Sequence, residues 1–249
     1  MRRRTLLIGA GAVVAAGGLG WAGVAGFTSD DRPLALVYRG PAACEGCAEA
    51  VATLLRGTTT PLRVEYCGPG EATPLTRASL DKAVLYAQPG GGSLDDGWRK
   101  MRRYADDIRG WVADGGRYVG FCLGGYLAGA TPGFNLLPGD TDQYIASRKA
   151  SVRTTQDTVV TVSWRGRDRT VYFQDGPEFK LRPGSGANVL ATYDTGTPAA
   201  VVVAHGKGRV GVVGPHPEAD ATWYRSAKLA MPGGGEGDLG RDLVETTLA

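Results

Sequence analysis

From Pro33 onward, short apolar runs alternate with stretches whose apolar residues recur every three or four positions, the pattern of a parallel sheet covered by helices. Leu34 to Tyr38 predicts the first strand, and Cys47 to Arg56 a helix with Ala50, Val51, Leu54 and Leu55 on one face. Further strands are expected at Leu62 to Tyr66, Ala83 to Ala87 and Tyr118 to Phe121. Between the last two, Trp98 to Ala113 predicts one long helix, stopped by Gly115 and Gly116. The fourth strand runs straight into Cys122, Leu123, Gly124 and Gly125 and a short helix reaching Ala130.

Beyond Pro132 the texture changes. Thr158 to Trp164 and Thr170 to Phe173 alternate like antiparallel strands around a turn at residues 165–168, and Val189 to Tyr193 adds another strand. Ala199 to Ala204 and Arg209 to Val213 flank His205, Gly206, Lys207 and Gly208, which predicts a hairpin with His205 exposed at its turn. Leu239 to Leu248 predicts a helical tail, and no internal repeat is present.

The first 32 residues follow a different logic. Arg2, Arg3 and Arg4 precede a stretch without charge from Thr5 to Phe27, rich in Leu, Val, Ala and Gly, and small residues at Val24, Ala25 and Gly26 mark a candidate cleavage point. Paired arginines before a moderately apolar, Gly-rich stretch predict a twin-arginine export signal. The alternative is a retained membrane anchor, since about 20 apolar residues span a bilayer. Either places residues 33–249, expected as one domain, outside the cytoplasm: secreted, periplasmic or anchored to the membrane.

Composition narrows the partner more than the fold. A formal charge of +3, with three positive charges in the leading segment, leaves the remainder close to neutral. Lys and Arg form no basic stripe interleaved with aromatics, so a nucleic-acid partner is not expected. A small-molecule or peptide-like substrate is expected instead, with no cofactor and no metal. The 39 glycines are spread through strand, turn and helix contexts, which excludes a low-complexity chain.

Gly120, Phe121, Cys122, Leu123 and Gly124 place small residues two before and two after a cysteine, where a strand is expected to meet a helix. A sharp strand-to-helix turn strains its central residue, and small neighbours at those positions let strand and helix approach. Cys122 would then project at a helix start, where free N–H groups favour a thiolate. The pentapeptide alone is also compatible with a buried structural cysteine among packing glycines. Two further segments favour chemistry. Gly214, Pro215, His216, Pro217 and Glu218 follow the last strand, and sites in parallel sheets collect at the carboxyl edge. There His216 would share the Cys122 proton and Glu218 would orient the ring. After the third strand, Pro89, Gly90, Gly91 and Gly92 offer backbone N–H groups. Those of Gly90 and Gly91, together with that of Leu123, are candidate donors to an oxyanion. A Gly-rich loop is equally a plain turn or a phosphate cradle, although it lacks the lysine and spacing of a P-loop.

Together these three segments resemble the class I glutamine amidotransferase superfamily, and most closely its biotin-protein ligase N-terminal domain branch. That branch is similar also at residues 36–41, 137–139 and 171–177, so the likeness covers about Pro33 to Trp223. It implies an α/β fold of three-layer, flavodoxin-like type, with a mostly parallel sheet and an antiparallel extension. It also implies a Cys-His-Glu triad at Cys122, His216 and Glu218. Gln174 and Asp175 fall in a motif that lines the pocket of that branch, or else form a polar loop after a strand. Biotin ligation is not implied, since the ligating domain of those enzymes is a separate region. With no synthase domain recognisable to receive ammonia, hydrolysis of an amide or related acyl bond through a thioester is expected.

Three other cysteines remain. Cys44 and Cys47 are expected to form a redox-active pair, a local disulfide, or one bridge to Cys67, with a structural disulfide favoured. Zinc is disfavoured, because three thiols without a fourth ligand make a poor site. The competing functions are a non-catalytic ligand-binding or scaffold module of the same fold, and a thiol-redox protein using Cys44 and Cys47.

Overall fold

The structure, a computed structural model, describes residues 30–232 and 237–249. The basic and apolar residues 2–27 of the expected export segment lie outside them, and no described helix is long and apolar enough to cross a membrane. Residues 32–249 form one compact unit. Its first half contains β1 (Leu34–Tyr38), α1 (Cys47–Arg56), β2 (Arg63–Cys67), α2 (Arg77–Leu80), β3 (Leu85–Gln88), α3 (Leu94–Met101), α4 (Ala105–Ala113), β4 (Arg117–Phe121) and α5 (Leu123–Leu127). The second half contains β5 (Gly139–Gln143), β6 (Thr158–Trp164), β7 (Arg167–Phe173), β8 (Pro177–Leu181), β9 (Asn188–Tyr193), β10 (Pro198–His205), β11 (Gly208–Val213), α6 (Ala221–Ser226) and α7 (Gly237–Leu248).

Among the described residues, nine strands form one sheet in the order β2-β1-β3-β4-β11-β10-β9-β6-β7. The pairings from β2 to β11 are parallel and those from β11 to β7 antiparallel, so the sheet is mostly parallel at one side with an antiparallel extension. Residues of β1 alternate between two cores, as a strand with a two-residue period requires. Ala35 and Val37 pack with α1 and α7, whereas Leu34, Leu36 and Tyr38 pack with α4 and α5. Helices thus cover both faces, giving three layers.

Where the pattern departs from expectation, the cause is local. The long helix begins earlier, at Leu94, because the Ser93 hydroxyl accepts from Asp96 N–H and caps it. It is also broken by a 3-10 turn at Arg102–Tyr104. The hairpin after β6 turns on Arg165 and Gly166 alone, both at positive φ, so Arg167 and Asp168 already belong to β7. β5 and β8 pair as a separate antiparallel ribbon, and β5 (Gly-Asp-Thr-Asp-Gln) has no apolar residue to announce a strand. His205 is half-buried rather than exposed, with Nδ1 3.0 Å from Leu136 O.

The β4–α5 junction is a close crossing at the site. A Cβ at Gly120 would overlap the carbonyl of Gly124, and one at Gly124 would overlap the carbonyl of Gln88 on β3. α3 approaches α5 through Gly97, where a Cβ would lie 2.8 Å from Leu123 Cδ2. The C-terminal helix is tied to the β6–β7 hairpin by Asp242, which accepts from Trp164 Nε1 at 2.7 Å and from Arg165 Nε at 3.0 Å and Nη2 at 2.9 Å.

Two predictions follow from these contacts. Gly124→Ala lowers stability in chemical denaturation by about 1–3 kcal/mol or more, since the Gln88 backbone it meets is fixed in β3, while Gly92→Ala, with open space around the new methyl, stays within about 0.5 kcal/mol. Burial works to raise the Asp242 pKa, but Arg165 and Trp164 hold it below the usual carboxylate value. Its stabilising contribution is therefore present at neutral pH and lost as pH falls through that lowered value. Asp242→Asn costs about 1–2 kcal/mol at neutral pH, and the gap from wild type closes in acid.

Candidate active site

β4 lies between β3 and β11, parallel to both, with Gln88 opposite Gly120 and Val213 opposite Phe121. The loops after these three strands therefore leave the sheet at one edge. Gly90 follows β3, Cys122 follows β4, and His216 lies three residues beyond the end of β11. Cys122 N–H donates to Val213 O at 3.0 Å, and His216 N–H donates to Tyr172 O at 2.8 Å, which ties the histidine loop to the end of β7. Gly90 sits between the two side chains: a Cβ there would lie 2.9 Å from His216 Cε1 and 3.6 Å from Cys122 Cβ.

Cys122 has φ 48° and ψ −104°, a left-handed conformation rare for a residue with a side chain. As a thiol, Cys122 Sγ donates to Gln174 O at 3.5 Å. His216 is 2 % exposed, and its Nδ1–H donates to Glu218 Oε1 at 2.8 Å, with the carboxylate also buried. His216 Nε2 has no hydrogen-bond partner of normal geometry among the described residues, and Cys122 is near enough to act on the ring. Burial works to lower the His216 pKa. The attraction of Cys122 in its deprotonated form, and of Glu218, outweighs burial and pushes the imidazole pKa above its ordinary value.

A cavity of about 580 Å³ opens beside the sulfur. Gly91, Leu123 and Cys122 line one side, and Tyr126, Gln174 and Asp175 another. Asp175 is at φ 50°, its carboxylate accepts from Gln143 Nε2 at 2.7 and 2.9 Å, and its carbonyl accepts from Tyr126 OH at 3.1 Å. Burial raises the Asp175 pKa against that amide bond. Gln174 presents its carbonyl to Cys122 while its side chain is exposed. The sequence pointed to neither Gln143 nor Asp142, which also lines the cavity; both sit in β5, whose polar sequence carries no pattern. A second cavity, about 490 Å³, lies at the amino ends of β3 and β4, far along the strands from Cys122. Its Arg77 is paired with Asp81 and Asp114, and no cysteine or histidine lines it.

Cys44 and Cys47 are bonded to each other, with Cα atoms 5.3 Å apart. The expected alternative of a bridge to Cys67 is thereby corrected. Cys67 ends β2 inside the core as a free thiol with no exposure, and burial pushes its pKa up to about 12. Of the two free cysteines, Cys122 alone lines the cavity.

Residues 34–145 match the family model of the biotin-protein ligase, N terminal. Among solved structures, a glutamine amidotransferase superposes with TM-score 0.54 at 16 % identity, over 78 % of this chain and 99 % of its own. PurLQS from Thermotoga maritima superposes with TM-score 0.56 at 19 % identity, over 87 % and 98 %. A cytoplasmic protein of Salmonella typhimurium LT2 gives TM-score 0.51 at 12 % identity, over 86 % and 99 %. At these identities the likeness is one of fold. No curated protein sequence matches the chain. Over residues 34–145 the chain thus carries the match to the biotin-protein ligase N-terminal family, within a mostly parallel α/β fold similar to that of the glutamine amidotransferase.

Proposed function

We propose that the chain is a cysteine-dependent hydrolase of amide or related acyl bonds, with Cys122 as nucleophile, His216 as acid and base, and Glu218 as the group that orients His216. The fold is one that suits amidotransferase and hydrolase chemistry. The observation that carries the finer reading is the buried His216–Glu218 pair, with Nδ1 2.8 Å from Oε1, set beside Cys122 across Gly90.

Transfer of the Cys122 proton to His216 gives a thiolate beside an imidazolium, which the upward direction of the His216 pKa favours. The sulfur attacks the carbonyl carbon, and the C=O pair moves onto oxygen. N–H groups of Gly91 and Leu123, which line the same cavity, are the proposed donors to that oxyanion, with Gly90 shaping the loop. His216 gives its proton to the leaving amine as the C–N bond breaks, leaving a thioester on Cys122. Water then enters, His216 accepts its proton, and cleavage of the C–S bond restores the thiolate and releases the acid. The charged side chains lining the cavity are Asp142 and Asp175, which favours a neutral or cationic small-molecule or peptide-like substrate over an anionic one. Export through residues 1–32 belongs to the same proposal, and the Cys44–Cys47 bond supports it, since disulfides persist in oxidising compartments.

Iodoacetamide labelling at neutral pH, resolved by peptide mass spectrometry, tests the assignment. Cys122 is labelled in the folded protein and Cys67 is not. His216→Asn slows Cys122 labelling by roughly ten-fold or more; equal rates in both proteins, or an unreactive Cys122, favour an inert module. A second expectation concerns pH. Because the folded His216 pKa lies above the ordinary value of about 6.5, its charge contributes stability that is full below that pH and lost as pH rises through the folded value. Urea titrations across this range show that loss in wild type and not in His216→Asn.

A further inference from the structure

The loop joining β1 to α1 packs against the loop that follows β3. Cys44 N–H donates to Gly90 O at 3.1 Å. Ala42 O abuts Gly91 so closely that a Cβ there would overlap it. Lys100 Nζ, from α3, donates to Pro41 O in the same loop at 2.8 Å. Cys44 is exposed, whereas Cys47 is 1 % exposed in the first turn of α1. The disulfide between them therefore passes the rigidity of a packed helix to a surface residue whose N–H touches the site.

A trans peptide unit is planar, and its C=O and N–H point in opposite directions. Gly90 C=O and Gly91 N–H belong to one such unit. The hydrogen bond from Cys44 to Gly90 O thus turns Gly91 N–H away from the Cys44 loop, and Gly91 lines the cavity shared with Cys122. We infer that the Cys44–Cys47 disulfide is a positioning element for the chemistry of Cys122: it holds Cys44 N–H on Gly90 O and so fixes Gly91 N–H as an oxyanion donor. This rests on the hydrolase reading above. It gives the disulfide a task distinct from general stability, because an oxyanion donor acts on acyl transfer and not on the nucleophilicity of the sulfur.

That distinction supplies the test. Acylation of Cys122 by p-nitrophenyl acetate builds up an oxyanion, whereas alkylation by iodoacetamide does not. Both rates are measured at Cys122 in wild type and in the Cys44→Ser/Cys47→Ser double variant, with thermal unfolding recorded alongside. The variant is expected to lose roughly ten-fold or more in acylation, since one oxyanion donor is worth about 10²–10³ in rate, while alkylation changes less than about two-fold. If the double variant does not fold, wild type treated with a water-soluble phosphine, which takes up the oxygen of water as the disulfide becomes two thiols, is measured after the reductant is removed. Its Cys122 is read separately from Cys44 and Cys47 by peptide mass. Rates that fall together, or an acylation rate that does not change, overturn the inference. Wild-type acylation no faster than that of His216→Asn overturns the hydrolase reading first, and this inference with it.

Discussion

At Cys122 the chain must leave β4 and enter α5 within a single residue, and it does so at φ 48° and ψ −104°. A non-glycine residue in such a conformation costs on the order of 1–3 kcal/mol and persists only where its surroundings fix it. They do so here through hydrogen bonds on both sides of the turn. Cys122 N–H is held by Val213 O, and Gly124 O accepts from the buried Tyr118 hydroxyl at 2.7 Å. Gly120 and Gly124 remove the two Cβ atoms that would otherwise keep β4, α5 and β3 apart. The position of the sulfur, the shape of the cavity and the approach of His216 all depend on that crossing.

The parallel order of β3, β4 and β11 converts this local turn into a site. Neighbouring parallel strands end at the same edge, so segments far apart in sequence meet there without any long excursion. The antiparallel extension contributes from the other direction. β7 is an edge strand, yet its end returns to the rim, where Tyr172 O accepts from His216 N–H and Gln174 O faces the Cys122 sulfur. The electrostatics follow from enclosure. Away from water, a buried imidazole between a carboxylate and a sulfur gains more from their charges than it loses by desolvation, and its pKa rises.

Much of this was legible in the sequence wherever period and spacing are strong signals. The bounds of β1 and α1 coincide with those read from the apolar pattern, and β6 does likewise. Small residues flanking Cys122, and His216 with Glu218 after a strand, marked the segments that the fold brings to one edge. The remainder was set by partners that a linear pattern does not encode. β5 is a strand only because β8 pairs with it, so Gln143 and its bond to Asp175 left no trace in the apolar periodicity. Spacing alone did not decide among the cysteines: Cys67 is excluded from the disulfide because β2 carries it into the core.

The central claim is that His216 is charge-coupled to Cys122, and the imidazole itself reports on it. Nitrogen-15 NMR of the His216 ring, followed across pH in wild type and in Cys122→Ser, measures that coupling without a substrate. The account predicts a ring that stays protonated well above the ordinary histidine range in wild type and titrates at lower pH once the sulfur is replaced. A His216 titration near the ordinary value of about 6.5, unmoved by the substitution, would contradict it.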